Sequence, residues 1–139
     1  MTDAAKAPME LELFSNTYRI GTLDAVRQFH VTRKLGPVLT GLMEGREKAR
    51  ESKDADGEDA FLKMLSPVIE QIGKLTQEDS EYVLFTCLSC VSRKVADEKW
   101  VRVMNGNRLQ FEDIKMPAMM RLAFEVIKEN LGDFFAVLP

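Results

Sequence analysis

The sequence predicts an α+β fold, a mostly helical single domain carrying two short β-hairpins. Three observations predict it. In "MELELF", Met9, Leu11 and Leu13 alternate with Glu10 and Glu12, the pattern of a half-buried strand. Several later stretches place apolar residues three and four apart, as one side of a helix requires. Finally, Asn105-Gly106 sits between two alternating runs, a strong short-range hairpin signal.

Taken in order, residues 1–8 are small and polar and are expected to be disordered, and residues 9–139 are expected to form the single domain. After "MELELF", Ser15-Asn16 reads as a turn, and Tyr18 and Ile20 resume the alternation, giving the first hairpin. Thr22 is a candidate cap for a helix that begins near Leu23. Leu23, Val26, Phe29 and His30 share one side of that helix, whereas Val31, Leu35, Val38, Leu39 and Leu42 share another. The apolar side rotates at Gly36-Pro37. Proline removes a backbone donor and disfavours helical geometry in the residue before it. The segment is therefore two helices meeting near Gly36 or one strongly kinked helix, burying two faces against different neighbours.

Residues 44–60 are nearly all charged or small, and about 50–60 read as a mobile charged loop. Helical spacing returns at Phe61, Leu65, Val68, Ile69, Ile72 and Leu75, with Ser66-Pro67 as a helix start or a second kink. Thr76 caps the next helix, with Glu78, Asp79 and Glu81 at its positive end and Arg93 and Lys94 at its negative end. Val83, Leu84, Cys87, Leu88 and Val91 form its buried stripe. The second hairpin spans about Lys99 to Phe111, because both central turn positions need positive φ and Asn-Gly tolerates it. Pro117 starts the last helix, Met120, Phe124, Ile127 and Leu131 line one side of it, and Gly132 is expected to stop it.

Composition narrows the function. With 139 residues the chain can bury roughly two-thirds of the surface its unfolded form exposes, enough for a core without staples. A net charge of -3 argues against a nucleic-acid partner, which calls for a basic excess. No apolar run approaches the ~20 residues that span a bilayer, so no membrane partner is expected. The first residues lack a basic stretch followed by an apolar one, so no secretory signal is expected and both cysteines are read as thiols.

Few residues offer chemistry. Cys87 and Cys90 have the spacing of a thiol–disulfide site, but they fall deep in a predicted helix, whereas a reactive thiol sits at a helix N-terminus. Buried core thiols are favoured over a redox pair, and a metal set would need more ligands than His30 can add. His30 is a candidate general base or proton switch. The plainer reading, which we favour, is a packed residue or part of an interaction surface. Arg33 and Lys34 are candidates for an anion, set against a solvated edge or internal ion pairs. No glycine-rich phosphate loop or protease signature occurs, and no cofactor is expected. At the end, Phe134, Phe135, Val137 and Leu138 either dock on the domain's own core or anchor a partner; the two readings stand side by side.

Two segments carry a resemblance. "QFHVTRKLGPVL" resembles a Gln-Phe-His-x-x-Arg-basic-Leu-small-Pro segment of bacteriophage tail assembly chaperones, and "ENLGDFFAVLP" resembles the Asn-Leu-Gly-Asp-Phe-Phe close of the same proteins. The order of elements is also similar, and the resemblance runs from about Met9 to Pro139. It implies a non-enzymatic helper in the cytoplasm of the bacterial host, encoded by a phage or prophage. Such a helper would bind the long amphipathic tape measure protein, keep it soluble and help recruit tail tube subunits; self-association is a further expectation. The motif positions carried over are Gln28, Phe29, His30, Arg33 and Pro37. Phe134, Phe135 and Leu138 are the expected partner contacts. The rival readings are a cytosolic thiol–disulfide oxidoreductase using Cys87 and Cys90, and a small structural subunit of the tail.

Overall fold

The structure, a computed structural model, describes residues 9–36, 38 and 69–137, with side chains described as far as residue 132. Two compact units make it up: residues 1–28 with 84–139, and residues 29–83. The expected charged loop at about 50–60, the helical stretch from Phe61 to Val68, and Leu39 and Leu42 lie outside the described residues.

In the first unit, β1 (Met9–Leu13) and β2 (Asn16–Ile20) form the expected antiparallel hairpin. Leu13 lies opposite Asn16, so the turn residues are Phe14 and Ser15, one position earlier than the sequence suggested. Both have positive φ, 48° and 67°, as the hairpin's twist demands of a two-residue turn. Asn16 Nδ2 donates to the Phe14 carbonyl at 3.2 Å and steadies it.

The expectation of a mostly helical domain with two separate hairpins is overturned. The α+β class holds, but β2 pairs with β3 (Val91–Ala96) and β3 with β4 (Lys99–Arg102), giving a four-stranded antiparallel sheet in the order β1-β2-β3-β4. Residues 91–96, read as the end of a helix, are a central strand because Val91 and Arg93 pair with Ile20 and Tyr18. Asn105-Gly106 does mark a hairpin, but a small one, β5 (Met104–Asn105) with β6 (Arg108–Leu109). Its turn residues are Gly106 and Asn107, and of these only Gly106 has positive φ, 64°.

The period-two pleat sorts the sheet's side chains. Tyr18, Ile20 and Val91 are buried on the inner side. Arg19, on the outer side, stacks 3.9 Å over the Trp100 ring and lies 3.5 Å from Glu10. Beneath the inner side runs α3 (Met116–Val137), which packs against β2. Leu122 and Val126, four apart, are fully buried on it; of the expected line Ile127 and Leu131 are buried, whereas Met120 and Phe124 are half-buried. The helix continues through Gly132 to Val137 instead of stopping there; at an interior helical position glycine costs stability without ending the hydrogen-bond ladder. Glu125 is buried on α3, and Arg121 Nε donates to its carboxylate at 3.0 Å.

Asn130 ties α3 to the chain leaving β2. Its Oδ1 accepts from Leu23 N at 2.7 Å, and its Nδ2 donates to the Gly21 carbonyl at 3.2 Å and the Val126 carbonyl at 2.9 Å. Gly21 itself lies against Cys90. Its N–H donates to the Cys90 carbonyl at 2.9 Å, and a Cβ there would sit 2.7 Å from that oxygen.

Helical too are α1 (Ala25–Lys34) and α2 (Gln77–Leu88). Asp24, not Thr22, caps α1: its Oδ1 accepts from Arg27 N at 2.8 Å, the reach of an Asx cap. Thr76 caps α2 as expected, accepting from Asp79 N at 3.0 Å. The end of α2 differs, because Ser89 and Cys90 turn out of the helix. Ser89 Oγ bonds back to the Thr86 carbonyl at 2.6 Å, the kind of local competition that lets serine end a helix. Arg93 and Lys94 therefore do not face that helix terminus.

Candidate functional site

The second unit gathers most of the carried-over motif that falls within it. α1 exposes Phe29 at 63%, against the expectation that its first apolar side is buried; Val26, three residues before, is equally exposed. The second apolar side behaves as expected, with Val31, Leu35 and Val38 buried. Burying one stripe of α1 leaves the opposite one facing water, and on this helix the opposite stripe also carries apolar side chains.

His30 stands between two aromatics. Its ring meets Phe29 edge-on with centroids 5.3 Å apart, and Tyr82 of α2 at 6.2 Å. Its Nδ1 accepts from Arg33 Nε at 3.1 Å. That bond uses the one nitrogen a general base would need free on that edge, and it fixes the arginine. Arg33 is exposed at the end of α1.

Lys34 goes the other way. Its Nζ pairs with Asp79 Oδ1 at 2.7 Å and lies 5.2 Å from the centre of the Tyr82 ring. The bond from Lys34 holds the Asp79 carboxyl below its ordinary value, with burial opposing it in part. Asp79 and Tyr82 are three apart on α2, so one side of that helix meets α1 twice. That spacing was present in the sequence; what it lacked was the pairing partner.

Gln28 does not join this cluster. Its Nε2 donates to the Leu23 carbonyl at 2.9 Å and closes the first turn of α1. Pro37 and Leu138 lie outside the described residues. Phe134 and Phe135 lie on the helical backbone of α3, with their side chains outside the described part of the structure.

The thiols sit elsewhere. Cys87 lies about three turns into α2 as expected, far from its N-terminus, whereas Cys90 falls beyond the end of the helix. Both are free, and Cys87 is fully buried. Burial pushes the Cys87 thiol up, and burial also raises Cys90, with the Gly21 backbone and Arg102 opposing. A nucleophilic thiol needs the reverse. Among the described residues no three His, Cys, Asp or Glu side chains come together as a metal set.

Sequence reasoning missed a polar cluster under the sheet. Arg93 donates to Asp113 at 2.9 Å and lies 4.3 Å over the centre of the Phe111 ring, and its charge is felt by the Tyr18 hydroxyl. Burial raises the Tyr18 hydroxyl pKa, opposed by Arg93. The Asp113 carboxylate and the Phe111 ring hold this half-buried arginine within the unit, which reads as scaffold. On α1, Phe29 and Arg33 offer another molecule an apolar ring and a cation one helical turn apart; Phe14, Val26, Ile69, Val95 and Met116 are also exposed among the described residues. The pair on α1 can hold a surface, but it contains no nucleophile.

A family model described as phage tail assembly chaperone protein, TAC, matches residues 15–139. No curated protein and no solved structure matches the chain.

Proposed function

The chain belongs to the phage tail assembly chaperone family, and from that premise we propose that it binds the tape measure protein, keeps it soluble and helps recruit tail tube subunits around it, without catalysis. One observation carries the reading. Within the matched span, α1 leaves Phe29 in water beside a fixed arginine while the opposite stripe of the same helix is buried. Covering a side chain of this size is worth roughly 1.5–3 kcal/mol, a modest gain per copy. A long amphipathic client would collect many such contacts and still release each one. Partner contact at Phe134, Phe135 and Leu138 belongs to the same proposal.

No helix among the described residues is long and apolar enough to cross a membrane. The host cytoplasm, where tails are built, is where this activity would be needed.

Co-expression tests the reading. A candidate phage tape measure protein is expected to shift into the soluble fraction when the chain is present, and to fall back with Phe29→Asp. No shift with the wild-type chain would refute it. Finished tails are expected to lack the chain; its retention at a fixed copy number would favour a structural subunit instead.

A further inference from the structure

We propose that the exposed side of α1 reads a carboxylate beside an apolar side chain, so that its partner is an acidic amphipathic helix. The proposal rests on the reading of the chain as a client-binding helper and supplies the chemistry of the client.

Two adjacent cations on α1 are treated differently. Lys34 is neutralised within the unit by Asp79 at 2.7 Å. Arg33 is exposed; its charge is also felt by Asp79, but among the described residues no carboxylate lies within salt-bridge distance of it. It is nevertheless not loose, because its Nε donates to His30 Nδ1 at 3.1 Å, and His30 is in turn packed at the edges of Phe29 and Tyr82. A guanidinium offers five N–H donors in a planar fork, and one of them is spent here to aim the rest. Fixing a long side chain beforehand lowers the entropy lost when a partner binds it.

Phe29 lies four residues before Arg33, the spacing that stacks two side chains on one side of a helix about 5–6 Å apart. An occupant must therefore offer an apolar group to Phe29 and an anion one turn along. A helix with a large apolar residue three or four positions from a Glu or Asp does both, and the arginine fork matches a carboxylate in two places. A phosphate-bearing ligand would call for more than one available cation, and Lys34 is already committed. In this arrangement His30 is a positioning residue: it sets Arg33 and does not itself meet the partner's charge.

The test uses the full chain and two synthetic amphipathic helical peptides with the same apolar stripe. One carries Glu, the other Lys, four residues from the central Leu. Fluorescence anisotropy at low salt is expected to show the Glu peptide binding about fivefold tighter, the scale of an exposed charge pair gained against one opposed. Added salt narrows that gap. Arg33→Glu reverses the preference, Arg33→Gln abolishes it, and Phe29→Ala weakens both peptides alike. His30→Ala keeps the Phe29-dependent binding but narrows the gap. Circular dichroism on each variant confirms the fold, and the exposed Arg33→Gln change serves if a harsher one does not fold.

Equal binding of the two peptides by the wild-type chain, or a preference untouched by Arg33→Glu, overturns the inference. Solubility gain for the tape measure protein with no charge preference sinks this inference alone. No solubility gain sinks the chaperone reading whatever the peptides do.

Discussion

Arg93 and Asp113, twenty residues apart in sequence, meet at 2.9 Å beneath the sheet, and the same guanidinium lies 4.3 Å from the centre of the Phe111 ring. The bond from Arg93 holds Asp113 below its ordinary 3.8, and the bond from Lys34 does the same for Asp79. Both carboxyls thus have folded pKa values below their unfolded ones, and the unfolded chain binds more protons as the solution is acidified. Their contribution is complete above the unfolded value and is lost as pH falls through the folded one. The urea midpoint is expected to hold from neutrality to about pH 5 and then decline. Asp113→Asn lowers the midpoint at neutral pH and flattens the acid decline; a decline as steep as wild type would show that the pair is not its source. Arg93→Ala is worse, about 1–3 kcal/mol, because the packing over the Phe111 ring is lost with the bond to Asp113.

Asn130 offers a cleaner deletion. Its amide serves Leu23 N, the Gly21 carbonyl and the Val126 carbonyl at once. Asn130→Ala strands two backbone groups outside any helix or strand ladder. We expect a loss of about 1–3 kcal/mol in chemical unfolding. A loss under about half a kcal/mol, the bottom of the range for a single hydrogen bond, would mean that the tie between α3 and the end of β2 matters little.

Two glycines should respond in opposite directions. At Gly21 a methyl group would sit 2.7 Å from the Cys90 carbonyl, a backbone atom that has no rotamer to escape into. Gly21→Ala is expected to cost about 1–3 kcal/mol. At Gly132, inside α3, a methyl group would meet nothing within 4 Å. Gly132→Ala is expected to gain about 0.5–1 kcal/mol. Thermal melts of the two variants decide it.

The thiols should be inert. In the native protein Cys87 is expected not to react with a thiol reagent near neutral pH, and Cys90 to react slowly. Both should titrate fully in denaturant. Rapid native labelling of Cys87 would contradict its full burial and revive the oxidoreductase alternative.

Some of the fold was legible in the residues and some was not, for identifiable reasons. Alternation in "MELELF" found β1 because one side of that strand is half-wet. Thr76 found the start of α2 because a cap is a local hydrogen bond. The break after Leu88 was hidden: Val83, Leu84, Cys87, Leu88 and Val91 keep helical spacing, and no glycine or proline punctuates them. Only the pairing of Val91 with Ile20 makes that segment a strand, and pairing is not a local property. Thr22 and Asp24 are both good caps, and sequence alone does not choose between them. At the candidate site, spacing found the helix bearing Phe29, His30 and Arg33. It misjudged Phe29 as buried, because an apolar stripe reads the same whether its neighbour is the protein's own core or another molecule.

The ladder between β2 and β3 joins residues 18–20 to residues 91–93. Chains grow at about 5–20 residues per second on the ribosome, so the first hairpin must wait several seconds before the strand that completes its inner side has been made. During that interval Tyr18 and Ile20 have no sheet partner beyond β1. The newborn chain is thus for a moment as much in need of shelter as a client would be, and shortening it before Ala96 should leave a product that clumps rather than folds.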